Sequence, residues 1–130
     1  MDNANTNKMT AKGEQLSQRL LDFVVVIIRI ADGLPNTTAG RHIGGQLVSS
    51  GTSSGSNYEE ARGAESRADF VHKMAVVLKE LKETRFWLRV IHRTQMLLSE
   101  QVIPVLDECE QLCAIVGKSV FTAKRNKRPK

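Results

Sequence analysis

The chain has 130 residues, of which 41% are hydrophobic and 25% are charged, a composition typical of one globular domain and not of a disordered segment. Its net charge of +5 is concentrated at the C-terminus, because residues 118–130 hold six Lys/Arg and no Asp/Glu. The longest apolar run, Phe23 to Ile28, is too short to span a membrane, and the polar first twelve residues do not resemble a signal peptide. We therefore expect a cytoplasmic protein without a membrane partner.

The hydrophobic spacing predicts a first helix from about Gly13 to Ala31, after a disordered polar segment at residues 1–12. The segment Gly33-Leu34-Pro35-Asn36 is expected to end this helix. Apolar residues recur at intervals of four and three, as in the seam of a helical bundle, at Leu16, Leu20, Phe23, Ile27, Ile30 and Leu34.

Glycine is unusually frequent in the second predicted helix, which Thr37 or Thr38 caps and which runs to about Arg62. A glycine inside a helix costs roughly 0.5–1 kcal/mol relative to alanine, so a helix here needs another source of stability. On a helical wheel, four of the glycines fall within about 60° of one another: Gly40, Gly44, Gly51 and Gly55. A strip without side chains lets another backbone come close. We interpret it as a packing surface, with a break or kink expected near Gly51–Gly55.

Ser66 with Asp69 is expected to cap a third helix, and a fourth begins near Ser99 with Pro104 in or just after its first turn. The apolar stripe of the third helix is Phe70, Met74, Val77, Leu81, Thr84, Leu88 and Ile91. That of the fourth is Val102, Val105, Cys109, Leu112, Val116 and Val120. No strand pattern competes. Short connections predict an all-α, up-down-up-down antiparallel four-helix bundle at residues 13–123, followed by a basic tail at 124–130.

Two of the predicted helices carry a second apolar stripe opposite the first. These residues are Leu21, Val25 and Ile28 in the first helix and Val76, Phe86, Trp87 and Val90 in the third. Large apolar side chains on both sides of a helix would leave an exposed patch on a monomer. We therefore expect a homo-oligomer whose interfaces include these stripes. The alternative is that loops or helix ends of the same chain cover them.

Basic residues cluster on the third helix and at the C-terminus. Within about 80° around the third helix lie Lys82, Arg85, Arg89 and Arg93. The C-terminal cluster contains Lys118, Lys124, Arg125, Lys127 and Arg128. The helical ridge suits the phosphates of RNA, and the tail suits a polyanion such as RNA, DNA or a membrane surface. Alternatively, Glu80, Glu83 and carboxylates of neighbouring helices neutralise the ridge, and the tail is simply solvated. The few aromatic residues argue against base stacking.

No complete catalytic or cofactor-binding motif is present. The segment Gly51–Ser56 lacks the lysine of a P-loop, and the adjacent Glu59 and Glu60 point about 100° apart on a helix. The three histidines are not spaced as metal ligands. Cys109 and Cys113, four residues apart on a helix, are better interpreted as buried small apolar residues than as a disulfide or a metal site. We expect no enzymatic activity, no metal and no cofactor.

The segment from Leu34 to Ile91, LPNTTAGRHIGGQLVSSGTSSGSNYEEARGAESRADFVHKMAVVLKELKETRFWLRVI, resembles the signature of the bacterial four-helix bundle proteins called 23S rRNA-intervening sequence proteins. The resemblance extends from Leu20 through DECEQLCAIVGKSVFTAKRN and so covers nearly the whole chain. The residues that fit the family motif are Arg41, His42, Gln46, Ser50, Gly51, Thr52, Asn57, Tyr58, Glu59 and Glu60.

The resemblance implies a ring-shaped homopentamer without catalysis or cofactor, in a family whose molecular function is not established for most members. It also implies kinship with an accessory subunit of diversity-generating retroelements, in which a basic ring engages reverse transcriptase and RNA. Two functions follow as hypotheses. The first is an RNA-associated ring, and the second is a scaffold or accessory subunit, for example for a reverse transcriptase. The motif residues could alternatively form a buried hydrogen-bond network.

Overall fold

The computed structural model describes the backbone of residues 3–126 and the side chains of residues 11–125. Four helices make up most of this segment: α1 Asn3–Asp32, α2 Thr38–Arg62, α3 Arg67–Thr94 and α4 Ser99–Asn126. No strand occurs between residues 3 and 126. The structure therefore confirms the all-α class and the four predicted helices.

Both outer ends of the helical region differ from the sequence prediction. Helix α1 begins at Asn3, ten residues before Gly13, so residues 3–12 are helical and not disordered. This segment contains neither proline nor glycine, and an existing helix extends at the cost of ordering one residue for each new hydrogen bond. At the other end α4 continues to Asn126, so the basic tail begins as helix.

Side-chain caps start α2 and α3 where the sequence indicates. Thr37 is the N-cap of α2, and its Oγ1 accepts a hydrogen bond from the backbone N–H of Gly40 at 3.0 Å. Ser66 is the N-cap of α3, and its Oγ accepts one from the N–H of Asp69 at 3.1 Å. In a capping box the carboxylate of Asp69 would accept a hydrogen bond from the backbone N–H of Ser66, but this bond is not formed. It accepts from the N–H of Glu65 at 3.3 Å instead.

The glycine strip of α2 packs against α1. A Cβ added to Gly51 would lie 2.7 Å from Cγ2 of Ile27, and one added to Gly55 would lie 3.0 Å from Cγ2 of Val24. Larger residues at these positions would push the two helices apart. Helix α2 continues through both glycines, so the predicted break does not occur. The close contact with α1 offsets the poor intrinsic helix propensity of this segment.

Contacts between helices show that neighbouring helices run antiparallel. Tyr58, close to the end of α2, donates a hydrogen bond from its hydroxyl to the carbonyl oxygen of Gly13 in α1 at 3.0 Å. Cys109 of α4 donates from its thiol to the carbonyl oxygen of Leu81 in α3 at 3.3 Å, whereas Gly117, later in α4, lies near Leu78, earlier in α3. Each helix contacts the next one along the chain, and α4 also contacts α1 over fewer residues. This is the predicted up-down-up-down four-helix bundle.

The core consists of the predicted apolar stripes of α1, α3 and α4, joined by four residues of α2. Its fully buried large side chains include Leu20, Ile27, Leu47, Met74, Leu81, Leu88, Ile91 and Leu112. The α2 members are Ile43, Leu47, Tyr58 and Ala61. Burial of one such large apolar side chain stabilises the fold by roughly 1.5–3 kcal/mol relative to leaving it in water. Cys109 and Cys113 are buried with them, as predicted.

The side of the bundle between α1 and α4 is the most open. Arg19 of α1 forms a two-pronged ion pair with Glu108 of α4, with Nε–Oε2 and Nη2–Oε1 distances of 2.7 and 2.8 Å. Next to this pair is a groove of about 260 Å³, lined by Asp22, Phe23, Val26, Pro104, Val105 and Glu108. Pro104 lies just beyond the first turn of α4, in agreement with the sequence prediction.

Candidate nucleic-acid interface

Four basic side chains form a ridge on the outer surface of α3. Lys82, Arg89 and Arg93 are exposed, and Arg85 is half-buried. None of the four makes an ion pair with a carboxylate of the described side chains. Helix α3 as a whole has seven Lys/Arg against three Asp/Glu, a net charge of +4. The ridge is therefore a positively charged surface that phosphate groups can approach.

Of the two glutamates that could have neutralised this ridge, Glu80 lies on the α2 side of α3 and Glu83 is exposed. Thr84 faces Ser50 of α2, and Glu80 precedes Thr84 by one turn. Burial raises the pKa of the Glu80 carboxyl, and the charge of Glu83 raises it further. Neither glutamate forms an ion pair with a described side chain. Neutralisation of the ridge by these two residues is not observed.

The second basic cluster lies on the last third of α4, where Lys118, Lys124 and Arg125 are exposed. The charges of α4 are segregated, because its four acidic residues all precede these three basic ones. No ion pair involves the three within residues 11–125. Lys127 and Arg128, which the sequence analysis includes in this cluster, lie outside the described residues.

The ridge of α3 lies on the side of that helix that faces α4. The pKa of Cys113 in α4 is lowered to about 7, mainly by a hydrogen bond with the adjacent Cys109 thiol. Burial opposes this shift, and the positive charges of Arg85 and Lys82 contribute to it. Leu78, one turn before Lys82, lies 3.9 Å from a Cβ added to Gly117 of α4, so the α3 ridge borders the seam between α3 and α4. The charge of Glu110 has the opposite effect on the pKa of this thiol, and Glu110 forms no ion pair with the ridge among the described side chains.

Both exposed phenylalanines lie within the two basic clusters. Phe86 is 56% exposed and Phe121 is 65% exposed. On a helix surface the nearest neighbours are three and four residues away. For these two rings, the basic neighbours at those positions are Lys82, Arg89, Lys118, Lys124 and Arg125. From the sequence, Phe86 is expected in an oligomer interface, and Phe121 has no predicted role. The spacing of each from Lys and Arg is the signal that could have identified both.

Three of the α2 motif residues are structural. Ser50 is buried, and its Oγ lies 2.9 Å from Oγ1 of Thr84 in a hydrogen bond between α2 and α3. Gly51 is the point of closest approach to α1. Tyr58 is buried apart from its hydroxyl bond to Gly13, and burial raises the pKa of its phenol. These side chains hold the bundle together and do not face solvent.

Three further motif residues bond within α2 or to α1. Thr52 donates from Oγ1 to the carbonyl oxygen of Val48 at 2.7 Å, and Asn57 donates from Nδ2 to that of Ser53 at 2.8 Å. The carboxylate of Glu59 accepts a hydrogen bond from Ser17 of α1 and pairs with Arg62, one turn later, at 3.6 Å. These polar groups are therefore already satisfied inside the protomer.

The remaining motif residues are available at the surface. Arg41 is exposed and donates to Oδ1 of Asn36 at 2.9 Å. His42 is exposed and makes an edge contact with Trp87 of α3, with ring centroids 6.0 Å apart. Glu60 is exposed, and Gln46 is half-buried. The ten residues of the motif thus divide between a structural set and a smaller surface set, and they do not form one site.

The second apolar stripe is much more exposed on α1 than on α3. Leu21, Val25 and Ile28 are all exposed, and no described loop or helix end covers them. On α3, Trp87 and Val90 are half-buried and pack against the core of the same protomer. The fourth predicted residue, Val76, is also half-buried. Of the two predicted stripes, the exposed apolar surface therefore belongs mostly to α1 and to Phe86.

The described part of the chain contains neither a membrane-spanning helix nor a metal-binding cluster. None of the four helices contains an apolar stretch that could cross a lipid bilayer. No group of three or more His, Cys, Asp or Glu residues within it is arranged to hold a metal ion.

Comparison with known proteins relates the whole bundle to one family. The family model described as 23S rRNA-intervening sequence protein matches residues 13–118. The chain is also similar to the crystal structure, at 1.70 Å resolution, of a protein with unknown function from the S23 ribosomal protein family of Bacteroides thetaiotaomicron VPI-5482. The two share 31% identity over 81% of this chain and 97% of that chain, with a TM-score of 0.76. A comparison with curated proteins gives no match. The chain thus belongs to the family of 23S rRNA-intervening sequence proteins.

Proposed function

We propose that the protein is a non-enzymatic homo-oligomer that associates with RNA through the basic surface of α3 and α4. The observation that supports RNA most directly is a set of basic side chains without a carboxylate partner among the described residues: Lys82, Arg85, Arg89, Arg93, Lys118, Lys124 and Arg125. Basic side chains that neutralise phosphates release bound counterions, so such association weakens as salt rises.

The absence of catalysis in this proposal is supported by how the buried hydroxyl groups of α2 and α3 are used. The hydroxyls of Ser50 and Thr84 bond to each other between α2 and α3, and that of Ser54 bonds to the carbonyl oxygen of Gly51 at 2.7 Å. A nucleophile needs an adjacent base and access to substrate. These buried hydroxyls have neither in the described structure. Their role is to connect the helices.

The salt dependence of RNA binding tests the proposal. The observed association constant is measured with labelled RNA over a series of salt concentrations, for the wild type and for the Arg89→Gln/Arg93→Gln variant. Removing two phosphate contacts should reduce the slope of the log–log plot by about 1.4 for single strands. Arg29→Gln is the matched control, because Arg29 is exposed on α1, away from the α3–α4 surface. Equal slopes for all three proteins would contradict the proposal.

Self-association in this proposal rests on the exposed stripe Leu21, Val25 and Ile28 of α1. Apolar surface that leaves water contributes about 25 cal/mol per Å², so burial of this stripe against another copy is favourable. The ring-shaped homopentamer is the arrangement that the family resemblance implies. Light scattering coupled to size-exclusion chromatography should then give about five times the protomer mass of 14.5 kDa. A stable monomer at micromolar concentration would contradict it.

A second candidate function is that of a scaffold or accessory subunit for a nucleic-acid enzyme, such as a reverse transcriptase. It is favoured by an open cleft of about 560 Å³ between the end of α1 and the start of α2. Leu34, Pro35 and Val48 give the cleft apolar walls, and Arg41 supplies a charge. A protein partner should remain bound after nuclease treatment and be lost with Arg41→Ala or Glu60→Ala. Loss of the partner on nuclease treatment would instead support RNA association.

A further inference from the structure

We infer that the outer face of the α3–α4 pair binds single-stranded RNA, with Phe86 and Phe121 stacking on unpaired bases. The Lys and Arg side chains around each ring would contact the phosphates of the same strand. The inference rests on the proposed RNA association and narrows its ligand to unpaired RNA. The small number of aromatic residues argues against base stacking, but two of them are exposed among basic side chains, and stacking needs only such rings.

The ring of Phe86 is supported from behind by a second aromatic residue. Its centroid lies 5.0 Å from that of Trp87, and the two rings are nearly perpendicular at 77°. Trp87 itself packs against the core and contacts His42 at its other side. A ring held in this way loses little freedom when a base stacks on its exposed face. Phe86 is therefore preorganised for stacking, and its exposed face is accessible to a base.

The surroundings of the two rings carry positive charge. The positions three and four residues from Phe121 hold three basic residues and Gly117, and no acid. Around Phe86 they hold Lys82, Arg89 and Val90, with Glu83 as one acid. This combination of an exposed ring and flanking cations matches the two chemical parts of a nucleotide, which are a flat base and an anionic phosphate.

Both rings lie on outer surfaces of the α3–α4 pair. A Cβ added to Gly117 would be 3.9 Å from Cδ2 of Leu78, so this part of α4 faces α3, and Phe121 follows Gly117 by one turn. Because α3 and α4 are antiparallel, Phe121 lies level with the first turns of α3. At 1.5 Å per residue, Phe86 is then roughly 20 Å further along α3, on its exposed face. One continuous strand can reach both rings.

A duplex cannot use this arrangement in the same way. Its bases are stacked on one another and paired, so their faces are closed to an external ring, and the protein would contact only its phosphates. A single strand can turn its bases outward and stack them on aromatic side chains. A second copy that paired its α3 with this one would bring two +4 helices together. A neighbour that placed its α1 stripe on Phe86 would avoid this repulsion, and the molecular mass of the Phe86→Leu oligomer tests for that contact.

The experiment compares a labelled oligouridylate with an RNA duplex that has the same number of phosphates, using the full-length protein. Phe86→Leu and Phe121→Leu keep an apolar side chain but remove the ring. Each should weaken oligouridylate binding about tenfold, within the range for loss of one base–aromatic stack, and change duplex binding less than about twofold. Phe86→Tyr should restore the affinity.

Two further measurements complete the design. Ile103→Ala is the control, because Ile103 is an exposed apolar residue of α4 flanked by Glu100 and Asp107, and it should leave the affinity unchanged. Trp87 is the single tryptophan, next to Phe86, so its fluorescence should change on oligouridylate binding. That change should disappear in Phe86→Leu at protein concentrations where the wild type is saturated and the variant is not.

The results separate the inference from the function on which it rests. If both Leu variants bind oligouridylate as the wild type does while Arg89→Gln weakens it, stacking is wrong and RNA association stands. If neither RNA binds at low salt, the proposed function and the inference both fail. If Phe86→Leu lowers the molecular mass of the oligomer, Phe86 belongs to a contact between copies, which also overturns the inference.

Discussion

Gly51 of α2 lies so close to Ile27 of α1 that an added Cβ would be 2.7 Å from Cγ2 and 3.3 Å from the Cβ of the isoleucine. Both atoms belong to the branched part of the side chain and cannot move away without displacing α1. The glycine therefore sets the distance between the two helices.

Gly51→Ala should destabilise the protein by about 1–2 kcal/mol, because the cost of overpacking exceeds the gain of about 1 kcal/mol in helix propensity. Gly45→Ala, in the same helix, is the control. A Cβ on Gly45 has no neighbour within 4 Å, so this variant should gain about 0.5–1 kcal/mol. Urea unfolding at a fixed protein concentration measures both. Stabilisation by both substitutions would show that α1 and α2 are not closely packed at Gly51.

The buried hydrogen bond between Ser50 and Thr84 should show coupling in a double-mutant cycle. Thr84→Val leaves the Ser50 hydroxyl buried with only a longer contact, 3.4 Å, to the carbonyl oxygen of Leu47. We expect each of Ser50→Ala and Thr84→Val to cost about 1–2 kcal/mol, and the double variant to cost about 1 kcal/mol less than their sum. Additive effects in thermal unfolding would mean that the two hydroxyls do not interact.

Arg19→Gln should weaken the side of the bundle between α1 and α4. The guanidinium–carboxylate pair with Glu108 is bidentate but partly exposed, so we expect a loss of about 1 kcal/mol in the free energy of unfolding. High salt should reduce the difference from the wild type. Arg29→Gln, on the exposed side of the same helix, should change stability by no more than about 0.5 kcal/mol. A loss that is independent of salt would indicate packing and not charge.

Leu21→Glu should dissociate the proposed oligomer. Leu21 is the most exposed residue of the α1 stripe, and a buried carboxylate without a partner at an interface is strongly unfavourable. The mass from light scattering should fall toward that of the protomer, with unchanged helical content by circular dichroism. Ala114→Glu, at an exposed position of α4, should retain the wild-type mass. The prediction is wrong if Leu21→Glu keeps that mass as well.

The fold could be predicted from the sequence because its signals are local and repeated. The four-and-three spacing from Leu20 to Ile27 and from Met74 to Ile91 marks the faces that the structure buries. Thr37 and Ser66 begin their helices because their short side chains bond to backbone N–H groups three residues later. The glycine strip predicts close packing for a similar reason, because a helix face without side chains lets another helix approach closely.

The parts that sequence reasoning missed depend on contacts between helices. The bond between Ser50 and Thr84 joins residues 34 positions apart, and no periodicity indicates it. Trp87 is predicted in the second apolar stripe, but it is three residues from Thr84 and four from Ile91 of the buried stripe, and the structure packs it against the core. Apolar spacing does not predict the start of α1 at Asn3, because a polar segment without proline or glycine can extend a helix without adding to its apolar stripe.

The small contact between α1 and α4 also affects local unfolding of the bundle. These two helices meet over fewer residues than any other neighbouring pair, so separating them exposes the least core. Local opening should begin at that side, with α2 and α3 as the last part to lose its amide protection in hydrogen exchange. A ring neighbour that covered the outside of α1 would slow this opening, and assembly would then add kinetic as well as thermodynamic stability.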